Sequence, residues 1–257
     1  MANKQGIGKI EWCDETINPV VGCKRGCPYC FAKRMNDRFG FVKDFRSPEI
    51  RPGALSPVRS RKPRSVFFDS MSDFGFWTPD QTEKVFSWFG LSSQKSVFIG
   101  LTKSPDYIEA WNTAALLFNE ADLLISGEGF GQRLFLGYTI DGMAQVGKAL
   151  AAGKGRMADF LSVEPLEEDV SSRPEFWDFV RSCRRLKVVI IGAETGNRLG
   201  KVVCRKAWAD GIVKGLDKAG VPVFMKSSLR ETMGSDFRQD RLPWPTKWQS
   251  ESGKGGK

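Results

Sequence analysis

Residues 17–30 read INPVVGCKRGCPYC, and residues 31–39 continue as FAKRMNDRF. The first five residues read as a short buried strand. The next nine carry cysteines at positions 23, 27 and 30, and the last nine have helical spacing. A strand that runs through a ligand-bearing turn into a helix is the opening unit of an alternating β/α chain. In such chains functional groups gather at the carboxyl ends of the strands.

The same alternation recurs outward from this stretch. Apolar runs predict strands at 17–21, 65–69, 96–101, 134–138, 158–163, 188–191 and 221–225. Helical patterns lie between them, at 31–39, 79–89, 106–118, 142–152, 174–183 and 206–219, several opening on proline. Seven alternations imply a parallel α/β sheet, either open and doubly wound or closed into a partial or complete parallel (β/α) barrel. The 257 residues suit one such barrel. The expectation is a single domain over 1–245 and a flexible tail, rich in Ser, Gly and Lys, over 246–257.

Hydrophobic content of 41% and charged content of 27% fit a globular protein with a full core. No apolar run is long enough to span a membrane, and residues 1–12 lack the core of a secretory signal. Both predict a cytoplasmic protein, in which six cysteines serve metal or redox chemistry more readily than disulfides. The chain contains no histidine, which removes histidine-based acid–base catalysis and the common His-containing zinc sites. Net charge is +9. A lysine-rich solvated surface would explain that number, as would a polyanionic partner. The second reading gains from Arg46, Arg51, Arg59, Arg61, Lys62 and Arg64, which interleave with four prolines in a predicted loop.

Cys23, Cys27 and Cys30 form a C-x3-C-x2-C turn, with Gly22 and Gly26 to fold it tightly and Pro28 to stiffen it. Four cysteines would hold an electron-transfer or structural cluster, whereas three leave one iron of a [4Fe–4S] cube open. Zinc, with Cys13 as a fourth ligand, is the alternative, although no second C-x2-C pair accompanies the loop.

That spacing, with Tyr29 before the third cysteine, resembles the cluster loop of the radical S-adenosylmethionine (SAM) superfamily. Six segments in order strengthen the likeness: IEWCDETINPVVGCKRGCPYC, VFFDSMSD, LTKSP, FLSVEPL, VVIIGAETG and AGVPVFMK. Together they look like a phage-associated radical SAM family of formerly unknown function. That family commonly carries an acid or glycine pair plus histidine near the second strand, where this chain has DSMSDFGFW.

The resemblance implies a barrel of the radical SAM type and a [4Fe–4S] cluster on Cys23, Cys27 and Cys30. SAM would bind the open iron and, on reduction by an external one-electron donor, give a 5′-deoxyadenosyl radical. It places Ser70, Ser72 and Asp73 against the SAM amino group and Lys103 near its carboxylate. Ser162 and Glu164 fall at the ribose, and Gly192 and Glu194 near the adenine. Tyr138, Asp141, Lys226 and Ser227 would line the substrate side, and Cys204 could return a hydrogen atom to a product radical. For each residue capping, ion pairing or plain burial is the competing role. The partner implied is DNA or a modified nucleotide, in the host cytoplasm if the gene is a phage's. Candidate chemistry is isomerisation of a glycyl-modified thymidine from N-linked to C-linked form. The other readings are a radical SAM enzyme for a peptide or small metabolite, and a non-enzymatic metal-dependent nucleic-acid-binding protein. Most of the aromatic residues should fill the core. Trp244, flanked by prolines and basic residues, is expected to be a better base-stacking candidate than most of them.

Overall fold

The longer parallel strands of this chain form where β-branched and aromatic residues run together, and most of them are followed by a helix. The computed structural model describes residues 3–5, 9–55, 64–91, 96–104, 112–113, 115–118, 133–151 and 157–247. It divides into two compact units. The first comprises Met1–Gly6, Trp12–Phe135 and Trp244–Lys257, and the second Ile7–Glu11 and Leu136–Pro243.

In the first unit β2 (Glu15–Thr16), β5 (Arg64–Phe67) and β6 (Ser96–Thr102) pair in parallel, with Thr16 opposite Phe67 and Phe67 opposite Ile99. Strand β1 (Asn3–Lys4) adds to β2 antiparallel. The single strand expected over 17–21 is not formed. Pro19 lacks the N–H a ladder needs, so the chain leaves the sheet there. Val20–Val21 becomes β3, which pairs antiparallel with β4 (Glu49–Ile50) in a separate two-stranded ribbon. Helix α1 (Phe31–Phe39) has the boundaries its pattern predicts, and α2 (Pro79–Leu91) runs slightly longer than expected.

Aromatic side chains make the core of this unit. Phe68 is fully buried, with Phe74, Trp77, Phe86 and Phe89 all within 6.2 Å of its ring centre. A Cβ on Gly100 would stand 2.3 Å from that ring, so only glycine fits beneath it. Trp244 is the correction. Only 3% of it is exposed; its indole N–H donates to the Trp12 carbonyl at 2.7 Å, and its ring lies 5.2 Å from Phe135. A buried, hydrogen-bonded indole cannot stack on a base, so the residue is a core anchor.

The second unit is built from β7 (Leu134–Ile140), α3 (Met143–Ala151), β8 (Phe160–Val163), α4 (Pro174–Ser182), β9 (Val188–Ile191), α5 (Lys206–Ala219), β10 (Val223–Met225) and the single turn α6 (Arg230–Met233). Strands β7 to β10 pair in sequence order and in parallel, so Thr139, Ser162, Ile190 and Phe224 lie in one row. Val188, Val189, Ile190 and Ile191 are fully buried, as a strand covered on both faces requires. Each such side chain contributes about 1.5–3 kcal/mol of burial. Mostly parallel α/β architecture is therefore what the chain adopts. Among the described residues, no helix is long and apolar enough to cross a membrane.

Candidate active site

The cysteine loop is stitched to the carboxyl end of β5. Gly22 N–H donates to the Met71 carbonyl at 3.0 Å, and Gly22 and Ser72 form a parallel bridge. Gly22 has φ 115°, and a Cβ there would meet Phe45 O and Pro48 Cα at 2.9 Å, so no other residue fits. Gly26 turns the loop again with φ 75°. Cys30 ends the loop as the N-cap of α1, its sulfur accepting from the Lys33 N–H at 3.3 Å. Cys23, Cys27 and Cys30 are all partly exposed, and none is in a disulfide.

Burial and charged groups at two strand ends act on the thiols. Burial pushes the Cys23 thiol up to about 12; the Asp73 charge adds to this, as do Cys27 and Cys30, while the Arg25 backbone N–H opposes it. Burial likewise raises Cys30, against the backbone N–H groups of Lys33 and Ala32 and the charge of Lys103. The Lys103 ammonium lies 5.3 Å from the centre of the Tyr29 ring, and Arg25 donates to the Lys103 carbonyl at 2.9 Å. The loop thus meets a cation and a carboxylate from two strand ends of its own unit.

Asp73 itself is buried, and its carboxylate accepts from Thr102 Oγ1, Lys103 N–H at 2.9 Å and Gly75 N–H at 3.0 Å. These bonds cap the short turn over Phe74–Phe76. Burial nevertheless raises its pKa. Asp69, unremarked in the sequence, is buried alongside and accepts from the Leu101 and Phe74 N–H groups. Burial, reinforced by the Asp73 charge, holds it well above the usual carboxylate range. Ser70 bonds Asn18, and Ser72 accepts from the Trp77 indole at 3.1 Å. Both serines therefore serve the local framework in this conformation.

The second unit assembles its own polar group. Glu164 Oε1 pairs with Lys226 Nζ at 2.9 Å, and its Oε2 accepts from Ser162 Oγ at 2.7 Å. Gly192 lies beneath the pair: an added Cβ would be 2.5 Å from Glu164 Oε1 and 3.1 Å from Lys226 Cδ. Three strand ends (β8, β9 and β10) therefore converge on one carboxylate. Beside it on the chain, Arg198 clamps Glu194 with bonds of 2.6 and 2.7 Å and reaches Glu167 at 3.2 Å. The Arg198 hydrogen bonds hold Glu194 below its ordinary value, while burial and Glu194 raise Glu167. Glu11 braces the end of β10 by accepting from Ser227 N–H at 3.0 Å, from its hydroxyl, and from Gln239.

Two other predicted residues, Tyr138 and Cys204, are buried. Tyr138 is fully buried, its ring 5.8 Å from Phe179 and its hydroxyl accepting from Gln145 at 3.1 Å; the alternation of β7 turns it into the core. Cys204 is buried, with burial pushing its thiol up to about 11. Arg59, Arg61 and Lys62 of the predicted basic loop lie outside the described residues.

The cysteine loop suits a three-cysteine cluster. It offers three partly exposed cysteines, backbone N–H groups bonded to two of them, and a lysine near the third. Such N–H···S bonds and nearby charges are what tune iron–sulfur centres. Among the described residues, no three His, Cys, Asp or Glu side chains converge as the ligands of a single metal ion do. In a cube each cysteine holds a different iron, so such convergence is not required of them.

A family model described as "Protein of unknown function (DUF5131)" matches residues 7–249. The chain belongs to the DUF5131 family. No curated protein matches this DUF5131 chain. Its fold is similar to that of spore photoproduct lyase. One such structure, a cysteine-to-alanine mutant with dinucleoside spore photoproduct, has TM-score 0.53 at 11% identity, covering 83% of this chain and 77% of that one. Another, complexed with dinucleoside spore photoproduct, has TM-score 0.51 at 11% identity with the same coverage. The likeness carries the fold alone, a mostly parallel α/β sheet with helices.

Proposed function

We propose that this DUF5131 protein is a radical SAM enzyme acting on a nucleic-acid base or modified nucleotide in the cytoplasm. The observation that carries the reading is the Cys23, Cys27 and Cys30 loop, joined by backbone bonds to a β-strand end in a mostly parallel α/β fold. When bound, a [4Fe–4S] cluster with SAM and an external reductant supplies one-electron cleavage of the sulfonium and abstraction of a substrate hydrogen atom.

The chain's own groups have distinct tasks in this reading. Cys23, Cys27 and Cys30 would hold the cluster as thiolates, and a set of three ligands would leave coordination capacity for SAM. Lys103, set beside the loop, attracts a carboxylate, and Asp73 keeps the loop end and β6 end in fixed register. Glu164, oriented by Ser162 and Lys226, accepts hydrogen bonds from a ribose diol. Glu194 is locked by Arg198, so the 192–196 backbone near it is held for the adenine. Positive net charge and the dinucleoside ligand of the fold's solved neighbours support a nucleic-acid substrate. Within that class, isomerisation of glycyl-modified thymidine from N-linked to C-linked form is the candidate reaction.

Anaerobic reconstitution tests the enzyme reading. Iron and sulfide near four of each per chain are expected, with an electron paramagnetic resonance signal that SAM shifts and 5′-deoxyadenosine released under dithionite. A signal indifferent to SAM, with no deoxyadenosine, would overturn it. Digestion of glycyl-modified DNA after incubation tests the substrate; unchanged nucleosides beside active SAM cleavage would remove that assignment.

A further inference from the structure

Helix α1 leaves the cysteine loop with an unusual outer face. Phe31, Phe39 and Phe41 are 60%, 52% and 38% exposed, on a helix and turn that bury Ala32, Asn36 and Val42 on the other side. Phe31, Arg34 and Arg38 are spaced i, i+3, i+7, so they form one solvent-facing stripe running away from Cys30. The stripe ends at the 39–41 turn. There the Arg38 guanidinium lies 5.0 Å from the Phe39 ring centre, and the two phenylalanine rings are 5.8 Å apart. Arg51 approaches the Phe41 ring at 5.9 Å and donates to the Phe41 carbonyl at 2.8 Å.

This turn is rigid. Gly40 takes the left-handed conformation, φ 62°, and donates to the Asn36 carbonyl at 2.7 Å. The buried Asn36 side chain clasps Val42 from both sides, donating to its carbonyl at 3.1 Å and accepting its N–H at 2.9 Å. Ala32, Val42, Phe45 and Met71 pack together with Cys23 and Cys30 against them, so the platform is tied to the cysteine loop. Between positions 24 and 51 the chain has eight lysines and arginines against three acidic residues. Of those acids Asp37 is engaged by Lys33 at 2.7 Å and Asp44 accepts the Arg46 N–H.

Exposed rings interleaved with guanidinium groups, on a rigid basic surface, match the chemistry of an unpaired nucleic-acid strand. Rings take the faces of bases and arginines take phosphates. We infer that the outer face of α1 and the 39–41 turn form a single-strand docking platform: Phe39 and Phe41 stack bases while Arg34 and Arg38 hold the backbone. This rests on the nucleic-acid reading above and assigns that substrate its path away from the cysteine loop. A nine-residue helix is about 14 Å long, so two to four nucleotides would bridge the loop and the platform.

The experiment uses the full, cluster-loaded chain and a fluorescein-labelled single-stranded DNA 20-mer, read by anisotropy across salt concentrations, with its duplex as comparator. Phe39→Ala with Phe41→Ala should weaken single-strand binding about 10- to 100-fold and leave duplex binding little changed. Arg34→Gln with Arg38→Gln should flatten the salt dependence by about one to two phosphate contacts. SAM cleavage without substrate should persist in every variant, which keeps a folding failure distinguishable. Wild-type affinity in the aromatic variant, or equal losses on duplex, would overturn the platform while leaving the enzyme reading intact. Absence of oligonucleotide binding by the active wild-type enzyme would overturn both platform and nucleic-acid substrate. Concentration-dependent self-association abolished by Phe39→Ala with Phe41→Ala would assign the face to a second copy instead.

Discussion

Gly192 lies where a single methyl group would collide with both members of an ion pair. Gly192→Ala places a carbon 2.5 Å from the Glu164 carboxylate and 3.1 Å from the Lys226 stem. The pair must separate or the β9 end must move, at about 1–3 kcal/mol for such overpacking. We expect SAM affinity by equilibrium dialysis to fall at least tenfold, while Glu164→Gln loses affinity without lowering the melting temperature by more than a degree or two. Equal affinity in Gly192→Ala would remove Glu164 from the cofactor site. At the cysteines, Cys23→Ser, Cys27→Ser or Cys30→Ser should each abolish iron retention through desalting, whereas Cys204→Ser should retain wild-type iron. A single serine variant that keeps a SAM-responsive cluster would contradict the three-ligand assignment.

Among the elements, the ends of β5 and β6 carry an electrostatic cost inside a framework. Asp69 and Asp73 are both buried, which raises both; the Asp73 charge further opposes ionisation of Asp69, and the backbone N–H groups of Leu101 and Phe74 only partly compensate there. A carboxyl in the unfolded chain titrates near 3.9. Asp69 titrates well above that in the folded chain, so between the two values the folded chain holds the extra proton. Stability from this residue is therefore full below the unfolded value and is lost as pH rises through the window up to the folded one. Asp69→Asn should flatten the fall in melting temperature between pH 4 and pH 7, read by circular dichroism on the cluster-free chain. An unchanged slope would show that Asp69 is ionised at both ends of the range. The helices were legible here because α1 and α5 are amphipathic with glycine at their C-caps. The first strand was not, because Pro19 and the ribbon partner at 49–50 outweigh the apolar run.

For the molecule as a whole, the first unit joins residues 12–14 to residues 244–247. Trp244 donates to Trp12, and the Lys247 N–H donates to Asp14 Oδ1 at 2.7 Å. Trp244→Ala should cost about 3–5 kcal/mol of unfolding free energy, since a buried indole and its hydrogen bond both go. Its single-strand DNA affinity measured below the melting transition should match wild type. A variant that keeps its stability but loses DNA would return Trp244 to the surface role its flanking prolines and basic residues suggest. Aromatic counts alone could not separate these roles. Phe39 and Trp244 look alike in a sequence, and burial depends on partners far along the chain.

Local chemistry was readable because its causes are local. Cys23, Cys27 and Cys30 lie within eight residues, Gly22 and Gly26 supply the φ values that loop needs, and the apolar runs at 188–191 and 221–225 hold the strands Val188–Ile191 and Val223–Met225. The identity of the polar partners was decided only in the folded chain. Glu11 meets Ser227 across 216 positions, Glu164 meets Lys226, and Asp73 meets Thr102 and Lys103. Periodicity records which face of an element is apolar, whereas pairing between strand ends follows from sheet order and register. Those are set by the summed burial of the whole core, and no window of neighbouring residues carries that sum.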